Sequence, residues 1–224
     1  MNNQQYVVAA HRTMSPGFHG ELVLEAVFIS ALQDAIKSLQ KIDKLKKAFF
    51  YGRELSPEDA VLDGMGQLGM YEDCSNLNLQ LPAGDETLQE RIIHGIMGKA
   101  TEGGELLEAL LLAVKGKEPL DFVNIGEEIG DGMWYDAILL KAIGSDIESE
   151  QERNINKLKA RFPAKFSEHL AQNRDLEAER KVLEAPAAIM NTEARHLLEK
   201  QNEMVNAPAK QYDEKGAEVK HHQV

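Results

Sequence analysis

The chain is short of the residues that would staple it or carry it across a membrane. Cys74 is the single cysteine among 224 residues, so no disulfide can close within the chain, and a reducing cytoplasm fits. Long apolar runs are missing as well. Glu25, Glu108 and Asp136 interrupt the best candidates well before the roughly 18 uncharged residues that suggest a spanning helix. The first twenty residues hold no apolar signal core, and the expectation is a soluble, unexported, cytoplasmic protein with no membrane partner. Positive charge is scarce: 25 Lys and Arg stand against 37 Asp and Glu, a formal charge of -12. General nucleic-acid binding rests on phosphate neutralisation by basic side chains, so no nucleic-acid partner is expected. A single nucleotide stays open, because a metal ion and a few placed cations can neutralise a triphosphate locally. Proline and glycine are not in excess, β-branched runs are few, and Leu, Ala, Glu and Lys dominate, which predicts an all-α protein.

What is present is concentrated between residues 102 and 131. Glu102-Gly-Gly-Glu105 is followed after 22 residues by Glu128-Ile-Gly-Asp131. An i, i+3 spacing puts both carboxylates of a pair on one side of a helix. Leu106, Leu107, Leu110, Leu111 and Val114 extend the first segment, and Trp134, Ile138, Leu139 and Ile143 the second, as apolar stripes that would bury against each other. Carboxylates brought together there would repel or take up protons unless a cation offset them. With no Cys or His beside the pairs, oxygen-only ligation by Glu102, Glu105, Glu128 and Asp131 favours a hard ion, Mg²⁺ or Mn²⁺. Gly103, Gly104, Gly126, Gly130 and Gly132 lie within or beside the pairs. A helix-interior Gly costs about 1 kcal/mol against Ala, so these positions predict close approach of another backbone or a ligand.

ExxE, a gap and ExxD resembles the signature of the all-α nucleoside triphosphate pyrophosphohydrolases, the MazG-like superfamily. The blocks HGIMGKATEGGELLEA (94–109), NIGEEIGDGMWYD (124–136), NINKLKARFPAKF (154–166) and NRDLEAERKVLE (173–184) are similar to consecutive blocks of MazG-like proteins, particularly phage-encoded ones. The resemblance covers about residues 86–184 and a short piece at 6–16. It implies a MazG-like four-helix bundle, to which this chain adds a long N-terminal helix and a C-terminal helical tail. It also implies Mg²⁺-dependent cleavage of a nucleoside triphosphate to monophosphate and pyrophosphate, in a homodimer or higher oligomer. Glu105 would serve as the base; Asn154, Lys157 and Arg161 would lie beside the triphosphate, and Trp134 is a candidate for stacking on the base. Many relatives carry a second Glu directly before the first motif acid, where this chain has Thr101. The alternatives are a phosphoribosyl-ATP pyrophosphohydrolase and a non-catalytic nucleotide- or metal-binding bundle. A di-iron bundle would need two ExxH motifs, and Glu193-x-x-His196 in the tail is the single one.

Three regions follow: a partly inserted N-terminal segment 1–85, a core at 86–184, and a tail at 185–224. Residues 1–18 read as a polar start, with Pro16 suited to opening a helix. A long amphipathic helix is expected at 21–51, stopped by Gly52, its basic end (Lys41, Lys44, Lys46, Lys47, Arg53) either solvated or turned towards phosphate. Residues 60–85 read as a short helix and loop. The two acidic helices are expected at about 85–116 and 121–143, the second stopped by Gly144, and a fourth helix opens with Ser145 capping and ends before Pro163. Residues 164–184 read as loop and short helix. Beyond them a helix is expected at 191–205, with a disordered end from 208.

Overall fold

The computed structural model describes residues 1–59, 74, 79, 81 and 86–184. Among them are seven α-helices and no strand: α1 (Asn3–His11), α2 (Glu25–Tyr51), α3 (Glu86–Val114), α4 (Phe122–Ala142), α5 (Ile147–Arg161), α6 (Glu168–Gln172) and α7 (Leu176–Glu184). The protein is therefore all-helical there, as its composition predicts. Most of segment 60–85, the expected 191–205 helix and the rest of the tail fall outside the described residues.

The three long helices end in the same way. Gly52, Gly116 and Gly144 take φ values of 63°, 64° and 66°. In each case the following amide reaches back across the last turn: Arg53 to Lys47 O, Lys117 to Leu112 O and Ser145 to Leu140 O. A left-handed residue closing a helix favours glycine, which is why these stops are legible in the sequence. At the other end of α4, the Asp121 carboxylate accepts from the Val123 and Asn124 amides. The cap of α5 is Asp146, which accepts from Ser149, and not Ser145, whose hydroxyl donates to Glu150 at 2.5 Å. The start of the chain also differs from expectation. Residues 3–11 are helical, opened by a reciprocal Asn2–Gln5 capping box, and Pro16 opens no helix.

α3 is the central element, packed against α2 on one side and α4 on the other, while α5 packs against α7 and α1. Glycines set the closeness of the α3 contacts. A Cβ added at Gly95 would lie 2.6 Å from Leu139 Cγ, one at Gly98 would overlap the Tyr135 ring, and one at Gly104 would stand 3.0 Å from Leu39 Cβ. Gly103, Gly126, Gly130 and Gly132, for which close approach was expected, face nothing within 4 Å. The α4 face turned to α3 carries Glu128, Tyr135 and Ala142, spaced by seven, and Trp134 lies outside it, 55% exposed. Arg12 ties the N-terminal piece to the end of α5 by donating to the carbonyls of Phe162 and Ala164. No helix of the described residues is long and apolar enough to cross a membrane.

Candidate metal centre

Packing α3 against α4 brings Glu102, Glu105 and Glu128 together, one carboxylate oxygen from each lying within 4.8 Å of the others. Glu102 and Glu128 are buried, at 8% and 5% exposure, and Glu105 is the exposed member. Asp131 does not join this group. On α4 it is Glu128 that faces α3, and Asp131, about 60° round the helix from it, is exposed.

The crowding shows in the ionisation of the group. Burial, then the charge of Glu105, pushes the Glu128 carboxyl up to about 7, against the hydrogen bond it accepts from Asn124 Nδ2 at 2.7 Å. Burial, then Glu102 and Asp43, raises Glu105 as well. Carboxylates held this close in a partly dry site favour either protons or a cation. The donor set is oxygen throughout, which fits Mg²⁺ or Mn²⁺ better than a soft ion.

A cation already stands on one side of the cluster. Lys46, 4% exposed, reaches from α2 to donate to Thr101 Oγ1 at 2.8 Å and Tyr135 Oη at 3.3 Å. Its ammonium lies 3.2 Å from Asp43 and 3.6 Å from Glu102. Burial pulls the Lys46 pKa down, but hydrogen bonds with Tyr135 and Asp43 outweigh it and leave the pKa raised, so the ammonium stays charged. Lys46 is thus neither a solvated helix end nor an open phosphate contact. Its placement was available in the sequence: Leu32, Ile36, Leu39, Asp43, Lys46 and Phe50 recur at four and three, one stripe that turns polar without losing its register. Phe50 continues the stripe by stacking on His94, ring centroids 4.0 Å apart.

The other candidate residues sit elsewhere. Arg161 is committed to Glu179 through two parallel bonds of 2.7 and 2.5 Å, and Arg174 adds two more at 3.3 and 2.8 Å. These guanidinium contacts, Arg161 first, pull Glu179 down to about 2. Asn154 lines a separate, mainly apolar cavity of about 660 Å³ with Tyr6, Met133 and Ile143. Lys157 is half-buried on α5. Trp134 stands edge-on to His94 and Tyr135, at 5.9 and 4.9 Å between centroids. Two clefts open on the carboxylates: one of about 280 Å³ on the α2 side, lined by Asp43, Thr101, Glu105 and Glu108 among others, and one of about 270 Å³ lined by Glu105, Glu108, Glu118, Asp121, Asn124 and Glu128 among others. The acidic wall of the second would repel a free polyanion and accept one that arrives with its charge offset.

In comparison with known proteins, no family model matches the chain, and no curated protein or solved structure is significantly similar to it.

Proposed function

We propose that the protein is a metal-dependent nucleoside triphosphate pyrophosphohydrolase with a MazG-like helical bundle, cleaving a (d)NTP between the α and β phosphates to a monophosphate and pyrophosphate. The observation that carries this reading is the convergence of Glu102, Glu105 and Glu128 from two helices to within 4.8 Å. Glu102 and Glu128 would hold Mg²⁺ or Mn²⁺, with Asp131 assigned to the same site through the resemblance. The bound ion would supply Lewis-acid stabilisation of charge developing on the phosphate oxygens.

The chain's own residues supply the rest. Asn124 fixes Glu128 by donating to its Oε1, and the Lys46 contact restrains Glu102. Glu105, exposed and raised in pKa, is the group positioned to take the proton of the attacking water. Water oxygen then bonds to the α-phosphorus as the bridging oxygen leaves with pyrophosphate. Of the basic residues in the 154–161 block, Lys157 is the phosphate candidate, since Arg161 already holds Glu179. Asn154 is assigned to the substrate by resemblance, and Trp134 is the candidate for stacking on the base as the aromatic that follows Asp131. The reading brings with it a cytoplasmic nucleotide-pool role, in a phage-infected host if the resemblance extends so far. It also brings assembly into at least a dimer, to be checked by light scattering as a mass of twice the chain's 25.0 kDa or more.

The test is turnover of a panel of dNTPs and NTPs with Mg²⁺ and with a chelator, products separated by chromatography. Monophosphate and pyrophosphate are expected with metal alone. Glu105→Gln should lose about 100-fold or more in rate with its unfolding midpoint no lower than native, since a repelling charge is removed. Turnover by Glu105→Gln at the native rate would sink the assignment. Turnover of no nucleotide would leave phosphoribosyl-ATP hydrolysis or a non-catalytic bundle.

A further inference from the structure

Lys46 contributes a charge that the acidic motif does not call for. Its ammonium is almost fully buried yet makes four polar contacts, to Asp43, Thr101, Glu102 and Tyr135, and lies 5.2 Å from the Tyr135 ring centroid. These partners come from all three helices that build the site. Thr101 is shaped for this role: its hydroxyl donates to the Gly98 carbonyl at 2.8 Å and so turns a lone pair towards Lys46. A carboxylate at position 101 would bring one more negative charge to the same spot. Burying an ammonium carries a desolvation cost that a well-packed apolar side chain of similar volume would avoid, so packing alone does not account for it.

We propose that Lys46 is a built-in counter-cation that stands where a second divalent ion would otherwise bind, so that the site takes one metal ion per chain. The inference rests on the metal-dependent reading above. The surroundings of the ammonium support it. Asp43, Glu102, Glu105 and Glu128 face the ammoniums of Lys46 and Lys47, the latter paired with Asp43. The Lys46 ammonium is ringed by oxygens of Asp43, Thr101, Glu102 and Tyr135, at 3.2, 2.8, 3.6 and 3.3 Å, the kind of oxygen donor set a second hard cation would use. The position is also asymmetric. Lys46 sits on the Glu102 side, while Glu105 and Glu128 line the acidic cleft. Lys46 is therefore a positioning residue that sets the metal count.

The experiment is a calorimetric Mn²⁺ titration of the full chain, with free Mn²⁺ counted by electron paramagnetic resonance, on the native protein, Lys46→Met and Lys46→Arg. One Mn²⁺ per chain is expected for the native protein. Lys46→Met, which removes the charge and keeps the volume, should bind two, the first about tenfold more tightly than in the native protein. Lys46→Arg, which restores the charge, should return to one. Two Mn²⁺ in the native protein would overturn the inference even if Lys46→Met failed to fold, as would one Mn²⁺ in Lys46→Met with an unchanged Kd. Native protein that binds no Mn²⁺ would remove the metal reading and this inference together. One Mn²⁺ without nucleotide turnover would remove the pyrophosphohydrolase reading and leave the count standing.

Discussion

Glu128 binds a proton over a pH range in which the unfolded chain has already lost it. Its carboxyl moves from 4.5 to about 7 on folding, chiefly through burial and then Glu105. Between those values the folded state holds more protons, so stability is greatest at the acid end of the window and falls as pH rises through 7. The loss amounts to at most about 3 kcal/mol. Urea unfolding in chelator should therefore give a lower midpoint at pH 8 than at pH 5, and Glu128→Gln should flatten the difference; a midpoint rising with pH would contradict the assignment. Glu179 has the opposite sign. Lowered to about 2 by Arg161 and Arg174, it contributes stability above 4.5 that is lost as pH falls through 2. Glu179→Gln leaves the mostly buried Arg161 guanidinium without its counter-charge and should cost about 3 kcal/mol in denaturant unfolding at neutral pH. A loss below about 0.5 kcal/mol would show that the pair is worth no more than a surface bridge. The acidic residues were legible in the sequence because their spacing is a chemical pattern. The register of Lys46 on the α2 stripe was legible too, but its partners and those of Arg161 were not, since a long basic side chain has a buried or a solvated use according to what stands opposite it, and that partner is far away in the chain.

At the scale of the helices, glycine position separates contact from mere occurrence. Gly98→Ala would drive a methyl group into the Tyr135 ring and should destabilise the fold by about 1–3 kcal/mol, while loosening the Tyr135 contact with Lys46. Gly103→Ala meets nothing and should gain up to about 1 kcal/mol from helix propensity. Thermal unfolding of the two variants checks the pair, and equal shifts would mean that α3 and α4 are less closely apposed than described. The ends of α2, α3 and α4 could be read from Gly52, Gly116 and Gly144 because a left-handed stop has few chemical solutions. α1 escaped notice because its signal is an Asn–Gln box before a short run, Tyr6 to Ala10, that has no amphipathic period. The i, i+3 pairs gave the right helices, and Glu102 and Glu105 do share the cluster, but the second pair is split, as exposed Asp131 shows.

For the whole molecule, helical class and the α3–α4 partnership follow from composition and periodicity. The place of α2 does not, because nothing local tells an N-terminal extension from a wall of the site. Here α2 packs on α3 and sends Lys46 into the acidic cluster, so the 85/86 boundary divides the chain without dividing the site. A practical consequence lies in the aromatic seam beside that cluster. The chain has one tryptophan, Trp134, half exposed and edge-on to His94 and to the same Tyr135 that holds Lys46. Its fluorescence therefore comes from one location, a few ångströms from the groups that position the carboxylates. An unlabelled sample carries its own optical reporter, in which ion entry, separation of α3 from α4 and release of Lys46 can each be followed as a change in a single emission band.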